Sequence, residues 1–218
     1  MIGKKGPTIY KIPTVYKQIV DLSYKIIGGR DYKTVIMPDG KEWLAENLDF
    51  RFCQIGGPGT TTPKAWYYDN DAITYGVNGS KNCGLLYNWH AVNYLNENKE
   101  LLCPGWHVPS SGEWNDLLNA VGGASVAGEK LKALDGSVSS IFPNTWNGMD
   151  EFNFGFLPAG YFNSSSNTFN LIGSAAGTWT ATEKNASDAN LVDFTTSQNA
   201  SPGFYLKIMG YAIRLVRD

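Results

Sequence analysis

Apolar side chains recur along this chain with two periods, helical near the middle and strand-like toward the end. Trp114, Leu117, Leu118 and Val121 stand at i, i+3, i+4 and i+7, one face of a helix. Ser110 followed by Glu113 directly before this run is a capping box that starts the helix, and Gly122-Gly123 ends it. Asn115 and Asp116 then fall on the solvent side. A second helix is predicted within "GLLYNWHAVNYLNE" (84–97), with Leu86, Trp89, Val92 and Tyr94 on its inner side.

From residue 136 onward the pattern shortens into strand candidates: "GFLPAGYF", "GTWTATE", "ANLVDFTT", "GFYLKIM" and "YAIRLVRD". Only Gly210 separates the last two, which predicts a hairpin or a bulge. In the terminal run Tyr211, Ile213 and Leu215 keep strand periodicity. Ile213 and Leu215 are assigned to the core, and Arg214 and Arg217 to structural ion pairs. Near the start, two strand-like runs flank Pro38-Asp39-Gly40, which has the composition of a tight hairpin turn. Residues 1–30 read as a separate arm, edge strand or oligomerisation segment ending at a Gly28-Gly29 hinge, and residues 31–218 as the main domain.

Composition refines this picture. The chain has 24 Gly among its 218 residues, with 7 Trp, 12 Tyr and 10 Phe, which suits a loop-rich fold filled by large rings. A net charge of -2 gives no electrostatic case for nucleic acid as a partner. No apolar run approaches the length that spans a bilayer, so membrane insertion is not expected. The N-terminus lacks the apolar core of a signal peptide, which leaves a virion component or a trimmed export signal as the two readings. Cys53, Cys83 and Cys103 have no zinc-type spacing, and three thiols allow at most one disulfide.

Candidate chemistry is sparse. His107 precedes the capping box and reads as a packed or capping residue, and His90 has no Cys or His at metal spacing. Asp69, Asn70 and Asp71 are either turn formers or a structural calcium site, the one candidate cofactor. Trp-Asn-Asp (114–116) matches a string found in calcium-dependent lectins, but it lies on a helix, and Pro38-Asp39 is already used in a turn. Nucleophile-elbow and phosphate-loop patterns are lacking. Binding is therefore the expected general function. Its candidate ligand-binding residues are Trp179, Thr180, Thr182, Glu183, Asn185, Ser187, Asn190, Asp193, Asn199, Phe204 and Tyr205, small polar groups interspersed with rings. The alternative is that these residues only make turns.

Several stretches, in order, resemble one family. "WLAENLDF", "YYDND", "NCGLLYNWHAV", "LCPGWHVPSSGEWNDLLNAVGG", "AGEKLKA", "GMDEFNFGFLPAGYF", "GTWTATE" and "GYAIRLVRD" look like the Fibrobacter succinogenes major paralogous domain, over residues 31 to 218. The resemblance implies an α+β, C-type-lectin-like fold with two helices, short antiparallel strands and much irregular loop, in the branch shared with formylglycine-generating enzymes. Catalysis in that branch rests on a C-terminal cysteine pair that binds copper. Here all cysteines precede residue 104 and Leu215 stands where relatives often carry Cys, so no enzyme activity is expected. Some C-type-lectin-like proteins are diversified by retroelements just before a fixed C-terminal tail. The resemblance thus implies a receptor-binding protein of a phage tail or bacterial surface, recognising a cell-surface protein or glycan, with homo-oligomerisation through the N-terminal arm as a further expectation. The alternatives are a fixed carbohydrate-binding or structural surface protein of a Bacteroidetes cell, and an enzyme of the formylglycine-generating type.

Overall fold

The computed structural model describes residues 23–76, 79–134, 142 and 146–218. The part of the N-terminal arm before residue 23 lies outside them, and with it most of the oligomerisation segment. Strand β1 (Ser23–Ile27) pairs antiparallel with β2 (Arg30–Ile36). Gly28-Gly29 is therefore a two-residue hairpin turn rather than a hinge. Ile27 faces Arg30, and the φ angles of 59° and 82° at the two glycines are those the tightest hairpins require. The end of the arm is an edge strand.

The Pro38-Asp39-Gly40 turn forms as expected and leads into β3 (Glu42–Leu44). Asp39 accepts the Lys41 backbone N–H at 3.0 Å and the Trp43 indole N–H at 2.9 Å, tying the turn to the core. β3 pairs with β13 (Val216–Arg217), which pairs in turn with β7 (Trp106–His107). The result is one antiparallel sheet ordered β1-β2-β3-β13-β7, in which both ends of the domain meet. Three small strands, β4 (Gln54–Ile55), β5 (Lys64–Trp66) and β6 (Leu86–Tyr87), form a second sheet, and β8 (Tyr161–Asn163) and β9 (Thr168–Asn170) form a hairpin. The fold is α+β.

The described residues contain four α-helices rather than two helices, besides two short 3-10 turns. α1 (Ala72–Tyr75) is a single turn. α2 (Trp89–Glu97) starts at Asn88, whose side chain accepts the Ala91 N–H. Leu86 belongs to β6, and Tyr94 faces outward, 39% exposed, while Ala91 and Leu95 fill the inner face. α3 (Ser111–Ala120) has both halves of the predicted capping box. α4 (Ala124–Leu131) follows at once, so Gly122-Gly123 joins two helices. Its start has no capping side chain and its interior holds Gly128, which removes the usual sequence signals.

The third sheet is β10 (Ala175–Glu183), β11 (Asp188–Thr195) and β12 (Ala200–Leu206), all antiparallel. Alternation sends its residues to two different cores. Ala176, Val192, Phe194 and Ala200 join Trp43, Trp114, Phe154 and Phe156 on one side. Trp179, Ala189 and Leu191 join Trp89, Tyr87 and Tyr211 on the other.

The terminal run departs most from its predicted form. Tyr211 through Val216 are all buried, and no hairpin forms at Gly210. The chain instead crosses the interior, with isolated bridges from Gly210 to Phe162, Tyr211 to Tyr87 and Ala212 to Thr178. A Cβ on Gly210 would stand 2.8 Å from that of Phe162 and 3.1 Å from the Trp66 ring, so only glycine fits this crossing. Ile213 and Leu215 are core, as expected.

Arg214 is a correction. It is fully buried and, among the described residues, pairs with no carboxylate within bonding distance. Instead it donates to the Leu44, Phe154 and Gly155 carbonyls and to Asn47 Oδ1, at 2.8–2.9 Å. Its guanidinium also lies 4.7 Å from the Phe154 ring centre. Burial lowers its pKa to about 9, still above neutrality, so these acceptors hold a cation. Arg217 does form its ion pair, with Glu42 at 3.3 Å.

Candidate ligand-binding site

Two places bring functional side chains together, and the first is the start of α3. His107 Nε2 lies 2.8 Å from Glu113 Oε1, while Glu113 Oε2 accepts the Ser110 N–H and hydroxyl. Lys41 bonds both Glu113 and Asp218. Burial alone would raise the Glu113 pKa, but donors from His107, Lys41 and Ser110 outweigh it and hold the carboxylate far below its usual range. The hydrogen bond to Glu113 raises His107. His107, Glu113 and Asp218 offer ligand atoms within 4.8 Å of one another, as a metal site would. The Lys41 ammonium, however, already contacts both carboxylates, filling the place a metal cation would take. This cluster ties α3 to the β3-β13-β7 edge.

The second place is a groove between α3 and the β10–β12 sheet. It encloses about 270 Å³ and is lined by Ser111, Asn115, Thr180, Asn190, Pro202 and Phe204, with Trp114 in its wall. Thr180 is fixed there by register, its hydroxyl donating to the Asn190 carbonyl at 3.0 Å and lying 3.1 Å from the Ser111 hydroxyl. Among the described residues no group hydrogen-bonds the side-chain amides of Asn115 or Asn190, or the Trp114 indole N–H. No charged residue lines the groove, and its volume suits a single ring or one side chain.

Beside the groove runs β12, the outer strand of its sheet. Phe204, Tyr205 and Leu206 are 54%, 43% and 42% exposed in consecutive positions. Three large apolar side chains in a row on an edge strand are unusual in a surface with no partner.

Residues 39–217 match the Fibrobacter succinogenes major domain. The chain belongs to that family. Comparison with curated proteins and with solved structures finds no match.

In this member of the family, the sequence-predicted binding residues do not share one site. Thr180, Asn190 and Phe204 line the groove. Asp193 and Tyr205 lie on the opposite face of the sheet, because Asp193 pairs with Gly177 and Ser201, one residue out of phase with Asn190 and Val192. Glu183, Asn185 and Ser187 sit at the β10–β11 turn. Asn185 Oδ1 accepts from the backbone N–H groups of Ser187 and Asp188, and Glu183 pairs with Lys207, so this group does make the turn. Asn199 is exposed next to α4. Trp179 is a correction, since it is fully buried and donates to the Tyr87 carbonyl at 2.7 Å. Thr182, half-buried, accepts the Ser111 N–H at 2.9 Å, a second cap on α3. Sequence reasoning missed Ser111, Asn115 and Pro202. The helical period puts Asn115 on the solvent face of α3, where it is exposed, but nothing in the sequence brings that face beside β12.

The remaining candidates take structural places. Cys53, Cys83 and Cys103 form no disulfide with one another, and burial pushes the thiols of Cys53 and Cys83 up to about 12, away from the reactive thiolate. Burial and the nearby Lys207 charge lower His90 and favour its neutral form. Asp71 caps α1 by accepting the Ile73 and Thr74 N–H groups, while Asp69 and Asn70 adopt positive φ in the preceding turn. Among the described residues no helix is long and apolar enough to cross a membrane.

Proposed function

We propose that this chain is a non-enzymatic, C-type-lectin-like recognition module that binds a cell-surface receptor through the β12 edge and the adjoining groove. The observation that carries this reading is a contrast within 20 residues. Phe204, Tyr205 and Leu206 are exposed, whereas Tyr211 through Val216 are buried. Such a layout lets a binding strand vary while the tail behind it stays constant, as retroelement diversification of a phage-tail or surface protein would require. Support for the lectin-like arrangement comes from the closure of β13 against β3 and β7, with α2 and α3 alongside.

Amplicon sequencing of the gene's 3′ end from its native population, with the flanking DNA, tests the diversified form. Substitutions concentrated in codons 179–209 at template adenines, sparing the buried Trp179, are the expected result. A uniform 3′ end with no template repeat overturns diversification. A second reading, a fixed carbohydrate-binding surface protein, is favoured by the groove itself. Its free amides, aromatic rim and uncharged lining suit one neutral sugar ring. A glycan array distinguishes it: retention of a sugar by the wild type and its loss in Asn190→Ala would support the fixed form.

A further inference from the structure

Strands β10–β12 hold three charged residues, and two of them are paired within the fold. Glu183 bonds Lys207, and Asp188 accepts the Asn185 amide at 2.9 Å. Asp193 has neither a hydrogen bond to its carboxylate nor an ion pair among the described residues, although it is half-buried. Its carboxylate lies between two glycines on the flanking strands. A Cβ on Gly177 would stand 3.2 Å from one carboxylate oxygen, and a Cβ on Gly203 3.6 Å from the other. Around it are three tyrosines. Tyr161 stacks on Tyr211 at 5.6 Å between ring centres, and Tyr205 tilts against Tyr211 at 5.4 Å. The Asp193 charge is the leading cause of a raised Tyr205 pKa and adds to burial in raising Tyr211, so the carboxylate acts on both rings.

A carboxylate removed from water without a donor costs free energy that the folded chain does not recover internally. Electron-rich ring faces nearby make an anion less comfortable and a cation more so. The missing complement is therefore a positive charge. We propose that Asp193 with Tyr161, Tyr205 and Tyr211 forms a binding site for an ammonium or guanidinium group, such as a Lys or Arg side chain of a partner protein. This site lies on the face of the sheet opposite the groove, and it stands whether or not the groove binds a ligand.

The test uses the whole chain, followed by NMR of backbone amides. The cationic probes are Nα-acetyl-lysine amide, Nα-acetyl-arginine amide and choline, with Nα-acetyl-norleucine amide and methyl glucoside as neutral probes. Burial raises the Asp193 pKa to about 6, so Asp193→Asn removes a destabilising charge and should melt at a higher temperature than wild type. The same variant should bind the cations about tenfold more weakly. Saturable shifts at residues 193 and 205 with the cations alone, lost in Asp193→Asn, support the site. Tyr205→Leu, at an exposed position, supplies a second variant, expected to weaken choline more than the lysine probe. The proposal is overturned if methyl glucoside gives the same shifts, if Asp193→Asn binds the cations as tightly as wild type, or if no cation shifts these residues. A response to choline alone would identify small quaternary amines, and a response to lysine and arginine probes a protein partner.

Discussion

Strand β12 and the run from Tyr211 to Val216 are near neighbours of similar composition, yet they have opposite fates. Both are short, rich in rings and aliphatics, and read as strands. β12 is an edge strand with three large side chains in water. The later run threads the interior, its backbone bonded to Tyr87, Gly177 and Leu44, and its one charge solvated by carbonyls. Hydrophobicity did not decide which would be inside. What decided was which segment had buried partners for its polar groups, because a buried backbone needs every N–H and C=O satisfied.

Four experiments would break or sharpen that contrast. Trp179→Ala, on the buried side, should cost the most, about 3–5 kcal/mol, since it opens a cavity and removes one of the two donors on the Tyr87 carbonyl. A shift in the urea midpoint worth less than 1 kcal/mol would mean the second core collapses around the gap. Arg214→Met should destabilise by about 3 kcal/mol, because several buried acceptors lose their donor. If Met is tolerated in equilibrium unfolding, apolar packing has replaced the cation, as it can at buried charges.

A smaller effect, on the order of 1 kcal/mol, belongs to the His107–Glu113 pair that holds α3 under the sheet. His107 is raised above its ordinary 6.5, so its contribution is complete below that pH and disappears as pH rises through the folded value. Glu113 is lowered from 4.5, so its contribution is present above 4.5 and disappears as pH falls through the folded value. Their joint contribution therefore peaks between about 4.5 and 6.5. Comparing thermal melts of wild type and His107→Gln across pH 4–9 should show the difference shrinking on the alkaline side; a flat difference would refute the pairing.

The smallest change is expected at Phe204. Phe204→Ala should alter stability by no more than about 0.5 kcal/mol, as surface substitutions do, while reducing binding to any ligand that occupies the groove. A loss of several kcal/mol on unfolding would make β12 part of the core after all and remove the recognition reading.

The sequence made some of this plain. Ser110 and Glu113 announced the start of α3, and Pro38-Asp39-Gly40 announced its hairpin, because caps and turns are satisfied by residues a few positions apart. The strands β10, β11 and β12 were visible for the same local reason, and Asn190, Asp193 and Phe204 could be picked out as polar or aromatic positions along them. Their grouping was not legible. Whether Asp193 shares a face with Asn190 depends on register, and a shift of one residue reverses it.

Long-range contacts decided the rest. Trp179 looked like a surface ring within a polar stretch, but β10 is the strand that lies against Tyr211 and Tyr87. Arg214 looked like half of an ion pair, but the chain carries it to carbonyls at Leu44 and Phe154, 170 and 60 residues away in sequence. By itself the sequence determined the family, the local starts and stops, and a supply of polar and aromatic groups near the end. Tertiary structure alone decided which of those groups meet water and which meet each other, because burial and register belong to pairs of distant segments and not to either one.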